Sequence, residues 1–203
     1  YITNCINNLE RMTSTTFSKT STPFSKNYHP EEDTTELCSA RQQSFYRSLV
    51  GSANWCVTLG RFDIQYALST LSQYTCAPRI GHLDALYRVF GYLKHHKHAA
   101  IPFDGTTPTF LERVDFQRTN DWTEVFPDAF EELPKKSPIP DPNSEPIHIT
   151  CFVDADHARN RVTRRSVTGI LLFINNTPLV WISRRQRTVE TSTLGSEMIA
   201  ART

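Results

Sequence analysis

No stretch of this chain stays apolar for long. The longest run, GILLFI at residues 169–174, falls far short of the roughly 20 residues that a membrane span requires. Residues 1–10 lack the basic start and apolar core of a secretory signal, so a cytosolic or nuclear setting is the expectation. Cysteine is scarce and unpatterned. Cys5, Cys38, Cys56, Cys76 and Cys151 are odd in number, widely spaced and without a CxxC pair, which speaks against a disulfide framework and a zinc knuckle and for reduced thiols. No internal repeat is visible. What remains is a 203-residue chain with 38% hydrophobic and 21% charged residues, the profile of a soluble globular protein with one large or two small domains.

An excess of one charge sign is also missing overall, the formal net charge being +1, but the distribution is uneven. Residues 147–203 hold eight arginines against Asp154, Asp156, Glu190 and Glu197. Arg164, Arg165, Arg184, Arg185 and Arg187 in this segment suit a phosphate backbone, and an ordinary solvated face explains the same charges.

Apolar periodicity divides the chain into four parts. Residues 1–39 comprise a short helix, with Ile2, Ile6 and Leu9 at helical spacing, and a Ser/Thr-rich connecting arm. Residues 40–101 read as helical. Phe45, Leu49 and Ala53, then Ile64, Ala67, Leu68 and Leu71, outline two helices ending before Pro78, and a third runs from about His82 to His98. Lys94, His95, His96 and His98 fall in its last turn; adjacent His95 and His96 point to different faces, against a zinc cluster. Residues 102–146 form an acidic, proline-rich linker or insertion whose Phe116, Trp122 and Phe126 are expected to dock on a neighbour. From residue 147 the period changes. IHITCFVDAD, RSVTGILLFINN and PLVWISRR read as three strands separated by turn-formers, and TSTLGSEMIAART as a helix. The predicted class is α+β (or α/β), and Trp55 and Trp181 are expected in the core.

The DAD at 154–156 ends a buried-type strand, and Glu197 begins the helix after the third strand. Were that helix to cross the sheet, Asp154 and Glu197 would converge, and two such acids suit divalent metals about 4 Å apart for attack on a phosphodiester. A turn-forming role for a strand-end Asp is the plainer alternative. A DxD phosphatase would need Thr or Val two residues beyond the second Asp, where this chain has Ala158.

YRSLVGSANWCVTLGRFDIQYALSTLSQYTCAPRIGHLDALYRVFGYLKHHKH at 46–98 resembles the segment after the polymerase core in copia-type LTR retrotransposon reverse transcriptases, with their YRSLVGSLLYL, RPDI and RYLKGT blocks. FVDADHA and RRSVTGILLFINNTPLVWISRRQRTVETSTLGSEMIAA resemble the start of the ribonuclease H domain of the same Pol polyproteins, typically SDADWAG, RKSTSGY and LSSTEAEY. The blocks keep the family's order over most of residues 28–203, apart from the acidic insertion. His157 stands where Trp is usual and Arg159-Asn160 where Gly is common. The polymerase's Tyr-x-Asp-Asp hairpin does not occur, and residues 1–30 resemble the thumb stretch that follows it.

The resemblance implies a thumb and helical connection segment followed by a partial ribonuclease H-like domain, with further carboxylates and strands expected beyond Thr203. It implies a parent polyprotein that copies RNA into DNA and cleaves the RNA strand of RNA/DNA hybrids with two Mg²⁺ ions, Mn²⁺ being an alternative. Asp154 matches the first acid and Glu197 the helical acid, with Asp156 as a third candidate. Ser166 and Thr168 match the family's STSG and join Arg164, Arg165, Arg184, Arg185 and Arg187 as candidate nucleic-acid contacts; alternation into the sheet accounts for the two hydroxyls equally. Implied partners are the hybrid, the polymerase palm and the rest of the nuclease, with no membrane. The implied setting is cytoplasmic, in virus-like particles, with nuclear stages. The competing expectation is a non-catalytic nucleic-acid-binding or tethering module, or a decayed inactive copy.

Overall fold

The computed structural model describes residues 1–106, 108 and 147–203. The expected docking of Phe116, Trp122 and Phe126 lies outside the described residues. Within them, five α-helices and one three-stranded antiparallel sheet make a mixed α+β fold.

The first 100 residues build a helical unit from α1 (Ile2–Thr13), α2 (Ala40–Thr58), α3 (Gln65–Leu71) and α4 (Ile80–His95). Helix α2 starts at a capping box: the Ser39 hydroxyl accepts from Gln42 N–H while the Gln42 amide oxygen accepts from Ser39 N–H, satisfying two otherwise orphaned donors. It stops at Gly60, whose φ of 105° places it where side-chain-bearing residues are rarely found. Tyr46, Leu49, Ala53 and Cys56 of α2 bury against Ile64, Leu68 and Leu71 and against Leu86, Val89, Phe90 and Leu93 of α4. The Tyr46 hydroxyl, wholly inside this core, donates to the Leu71 carbonyl at 2.8 Å, the partner that a buried phenol needs. Trp55 departs from the expectation. It is 51% exposed, because the buried stripe of α2 runs through residues 46, 49, 53, 56 and 57 and Trp55 falls beside it.

The Ser/Thr-rich arm is more than a connector. Phe17 is buried, with its ring 5.6 Å from that of Phe90, and Thr20 N–H donates to the Gly91 carbonyl. Contact this close requires Gly91, since a Cβ there would lie 2.1 Å from the Ser18 carbonyl oxygen. Buried His82 joins the same layer. Its Nδ1 accepts from Arg79 N–H, so Nε2 carries the proton and donates to the Pro30 carbonyl at 2.8 Å.

Strands β1 (Ile149–Asp156), β2 (Val167–Ile174) and β3 (Thr177–Arg185) form a meander in that order. Asn175, in the left-handed region at φ 51°, makes the tight β2–β3 turn, a conformation Asn tolerates. Residues 104 and 105 fasten onto this turn through Thr177 and Asn175. Helix α5 (Thr193–Arg202) follows, its Ser192 hydroxyl accepting from Gly195 N–H.

Strand alternation sorts the side chains between two faces. Ala155, Thr168 and Arg184 are in register and share one face, where α5 packs against β1 and β2. Asp154, Gly169 and Ser183 share the other. This second face meets the helical unit, where Ser69 and Ser183 hydroxyls lie 3.1 Å apart and the Phe62 and Trp181 rings 5.5 Å apart. Trp181 thereby packs partly buried against the helical core rather than inside it.

Candidate functional site

Asp154 sits two residues before the end of β1, exposed and without a side-chain hydrogen-bond partner. Period-two alternation turns it toward α3, into a cleft it lines with Phe62, Gln65, Tyr66 and Trp181. Glu197 is half-buried in the second turn of α5 and also lacks a side-chain partner, but its helix lies on the opposite side of the sheet. The structure therefore does not bring the two acids together on one face. Asp156 shares Asp154's face and pairs instead with Arg159 at 3.5 Å. Among the described residues no group of three or more His, Cys, Asp or Glu side chains is placed to hold a metal ion. A two-metal clamp needs carboxylates converging on ions about 4 Å apart; of the candidate acids, Asp154 and Asp156 share one face of β1 and Glu197 lies on the helix that packs on the other, next to Ser196, whose hydroxyl is 3.2 Å from His157 Nδ1.

The β1–β2 loop is occupied with holding the two units together. Arg159 donates from Nε to the Tyr66 hydroxyl at 2.9 Å. The Arg161 backbone N–H donates to Glu31 at 2.8 Å, and its guanidinium pairs with Glu32 at 3.1 Å. Burial by itself would raise the Glu31 carboxyl, yet that N–H and further hydrogen bonds, including one to His29, leave it below its ordinary value. Within the loop, the Asn160 side chain accepts from Val162 and Thr163 N–H, and Ala158 N–H donates to the Ser166 hydroxyl. Ser166 is fully buried and Thr168 nearly so. Of the two readings the sequence left open for these hydroxyls, the structure places both inside the fold, engaged in internal hydrogen bonds.

The candidate arginines divide into two groups. Arg184, Arg185 and Arg187 line an open cleft of about 590 Å³ between the end of β3 and the second half of α5, where Arg202 joins them. Thr168, Gln186, Thr188, Ile199 and Thr203 complete this wall, and no acidic side chain lines it. Arg165 lies in the other direction, lining a small cavity with Tyr66, Glu31 and Arg159, and Arg164 stands exposed on the loop at φ 57°. Arg185, at the strand end, reaches both places.

Gln186 seats α5 beside the arginine cleft. It is 5% exposed, its amide nitrogen donates to the Thr168 hydroxyl at 3.1 Å and the Ser196 carbonyl at 2.8 Å, and its backbone N–H donates to the Ser166 carbonyl. One side chain thus ties β2, the exit of β3 and α5 together. Sequence reading missed Gln186, Arg202 and Tyr66. Arg202 carried a signal, a cation in the last turn of a helix; the other two are ordinary residues until the fold brings their partners near.

Comparison with known proteins gives a consistent relationship. The chain is 28% identical over 154 residues to an uncharacterized mitochondrial protein of Arabidopsis thaliana, covering 76% of this chain and 48% of that protein. It is 27% identical over 152 residues to the retrovirus-related Pol polyprotein from transposon RE1 of the same plant, 75% of this chain and 8% of the polyprotein. A putative transposon Ty5-1 protein of Saccharomyces cerevisiae is 38% identical over 78 residues, 38% of this chain and 25% of that protein. The chain thus spans about half of the first relative and a small part of the second. No protein-family model and no solved structure matches. Transposon Pol polyproteins are thus among the proteins it is similar to.

Proposed function

We propose that this chain is a connection segment and ribonuclease H-like opening of a copia-type Pol polyprotein, acting in its own right as a nucleic-acid grip. In the parent polyprotein the same reading assigns RNA-directed DNA synthesis and Mg²⁺-dependent hydrolysis of the RNA strand of hybrids. The observation that carries the proposal for this chain is the cleft of Arg184, Arg185, Arg187 and Arg202 with no acidic side chain in its wall. Four guanidiniums on one open surface favour a polyanion, releasing its counterions on contact. The helical unit, clamped to the opposite face through Tyr66, Ser69 and Glu31, serves as the rigid support on which that surface is carried. Asp154 and Glu197, held on separate sides of the sheet, favour gripping over hydrolysis in this chain.

The test is hybrid binding by the 203-residue chain across a salt series, beside incubation in Mg²⁺ and in Mn²⁺. Binding is expected to fall steeply with salt. Arg184→Ala, Arg187→Ala and Arg202→Ala are each expected to reduce the salt slope by about 1, while Asp154→Asn binds as the parent chain does. Cleavage in Mg²⁺ that disappears in Asp154→Asn would overturn the proposal in favour of a working nuclease.

A further inference from the structure

The cleft on the α3 side of the sheet belongs to no part of the arginine grip. It holds about 480 Å³, a size ordinary for a small ligand. Phe62 and Tyr66 wall it from the helical unit and Trp181 from β3, while Asp154 and Gln65 bring polar groups to it. Gly169 keeps its floor low: a Cβ added there would find no atom closer than 4.0 Å. Asp154 is the one charged residue in this lining. A purely apolar occupant would strip water from that carboxylate and return nothing.

Two kinds of ligand suit rings beside a carboxylate: a cation, and a base whose edge presents N–H donors. The rim decides between them. Tyr66 also borders the neighbouring cavity, which Arg159, Arg165 and Arg185 line against the single acid Glu31; Arg159 is bonded to the Tyr66 hydroxyl and paired with Asp156, which leaves Arg165 and Arg185 as the cations in excess. That excess of guanidiniums over carboxylates disfavours a cationic side chain and favours a phosphate. We propose that the cleft takes an unstacked nucleobase, guanine in preference, its N1–H and amino group donating to Asp154 and its phosphate lying toward Arg165 and Arg185. Stacking on Trp181, Phe62 and Tyr66 supplies the sequence-tolerant part of the binding, and the carboxylate supplies the preference. The proposal rests on the reading above only in that the chain meets nucleic acid.

Mononucleotides in EDTA test it without hybrid or metal. GMP and UMP are titrated against the full chain while tryptophan fluorescence is followed. GMP is expected to quench saturably and to bind about tenfold or more tightly than UMP. Trp181→Phe abolishes the signal, and Phe62→Ala weakens GMP by about tenfold. Asp154→Asn, an exposed and isosteric change, retains quenching but loses the preference for GMP. Absence of quenching, or equal response to both nucleotides in the parent chain and in Asp154→Asn, would overturn the proposal. So would quenching by a trimethyllysine peptide with none by GMP, which would give the cleft to a cation. Salt-sensitive hybrid binding without a GMP response sinks this inference alone, whereas a GMP response without hybrid binding sinks the grip alone.

Discussion

Replacing Gln186 by Ala should loosen α5 and, with it, the arginine cleft. The substitution removes hydrogen bonds of 3.1 Å to Thr168 and 2.8 Å to Ser196, worth about 1 kcal/mol each in net terms. Truncation also leaves a small void, and it relieves a buried acceptor, since the Gln186 amide oxygen has no partner. These two effects, each about 1 kcal/mol, offset one another. The expected net loss is about 2 kcal/mol, a fall of about 1 M in urea midpoint for a slope near 2 kcal/mol per molar. Hydrogen exchange over residues 193–202 should accelerate, and hybrid binding should weaken as Arg202 leaves the cleft.

Gln186→Glu sharpens the test. It sets a carboxylate oxygen against the Ser196 carbonyl in a buried position, which raises the introduced carboxyl's pKa above its unfolded value near 4.3. Its destabilisation is therefore complete above that raised pKa and fades as pH falls through it, protonation restoring a donor. A Gln186→Ala chain with an unchanged urea midpoint and unchanged exchange over α5 would refute the reasoning. It would mean that Ala200 and Ser196, both buried under the helix, seat α5 without the amide.

Two further outcomes follow from the helical unit. Gly91→Ala places a Cβ 2.1 Å from the Ser18 carbonyl; a loss of about 1–3 kcal/mol and faster proteolysis across residues 14–29 are expected, and unaltered proteolysis would contradict the docked arm. Burial would raise the Glu10 carboxyl, but the Lys94 ammonium at 2.7 Å and the Phe17 N–H at 2.6 Å hold it below its ordinary value. A depressed folded pKa gives stability that is present above the unfolded pKa and lost as pH falls through the folded one, so thermal melts should show an acid-side decline that is shallower in Lys94→Met.

Much of the architecture was legible because it is local. Apolar spacing alone located α2, α3 and α4, and the change to β-branched runs with Asn175-Asn176 between them located the strands and their turn. Helix α4 was expected from His82 and begins at Ile80, where Arg79 N–H meets His82; that cap is invisible to periodicity. The arm at residues 14–39 reads as a connector by composition, because single apolar residues such as Phe17 show no period. Only α4, with Gly91 at the crossing point, makes it part of the core.

At the site, the sequence by itself determined which residues carry charge and hydroxyls, and that Asp154 and Ala155 must point to opposite sides of a strand. It could not determine which of those sides α5 would cover. That choice belongs to tertiary packing. Gln186, Ser196 and Ala155 draw α5 to one face, Tyr66 and Trp181 draw the helical unit to the other, and a single residue of parity then separates Asp154 from Glu197. The same packing engages Arg159 and Arg161 in the clamp and leaves Arg184, Arg187 and Arg202 open. The reason is physical: burying each sheet face is decided by partners 10 and 18 residues from Gln186 along the chain for α5 and 93 away for Tyr66, beyond the reach of local spacing.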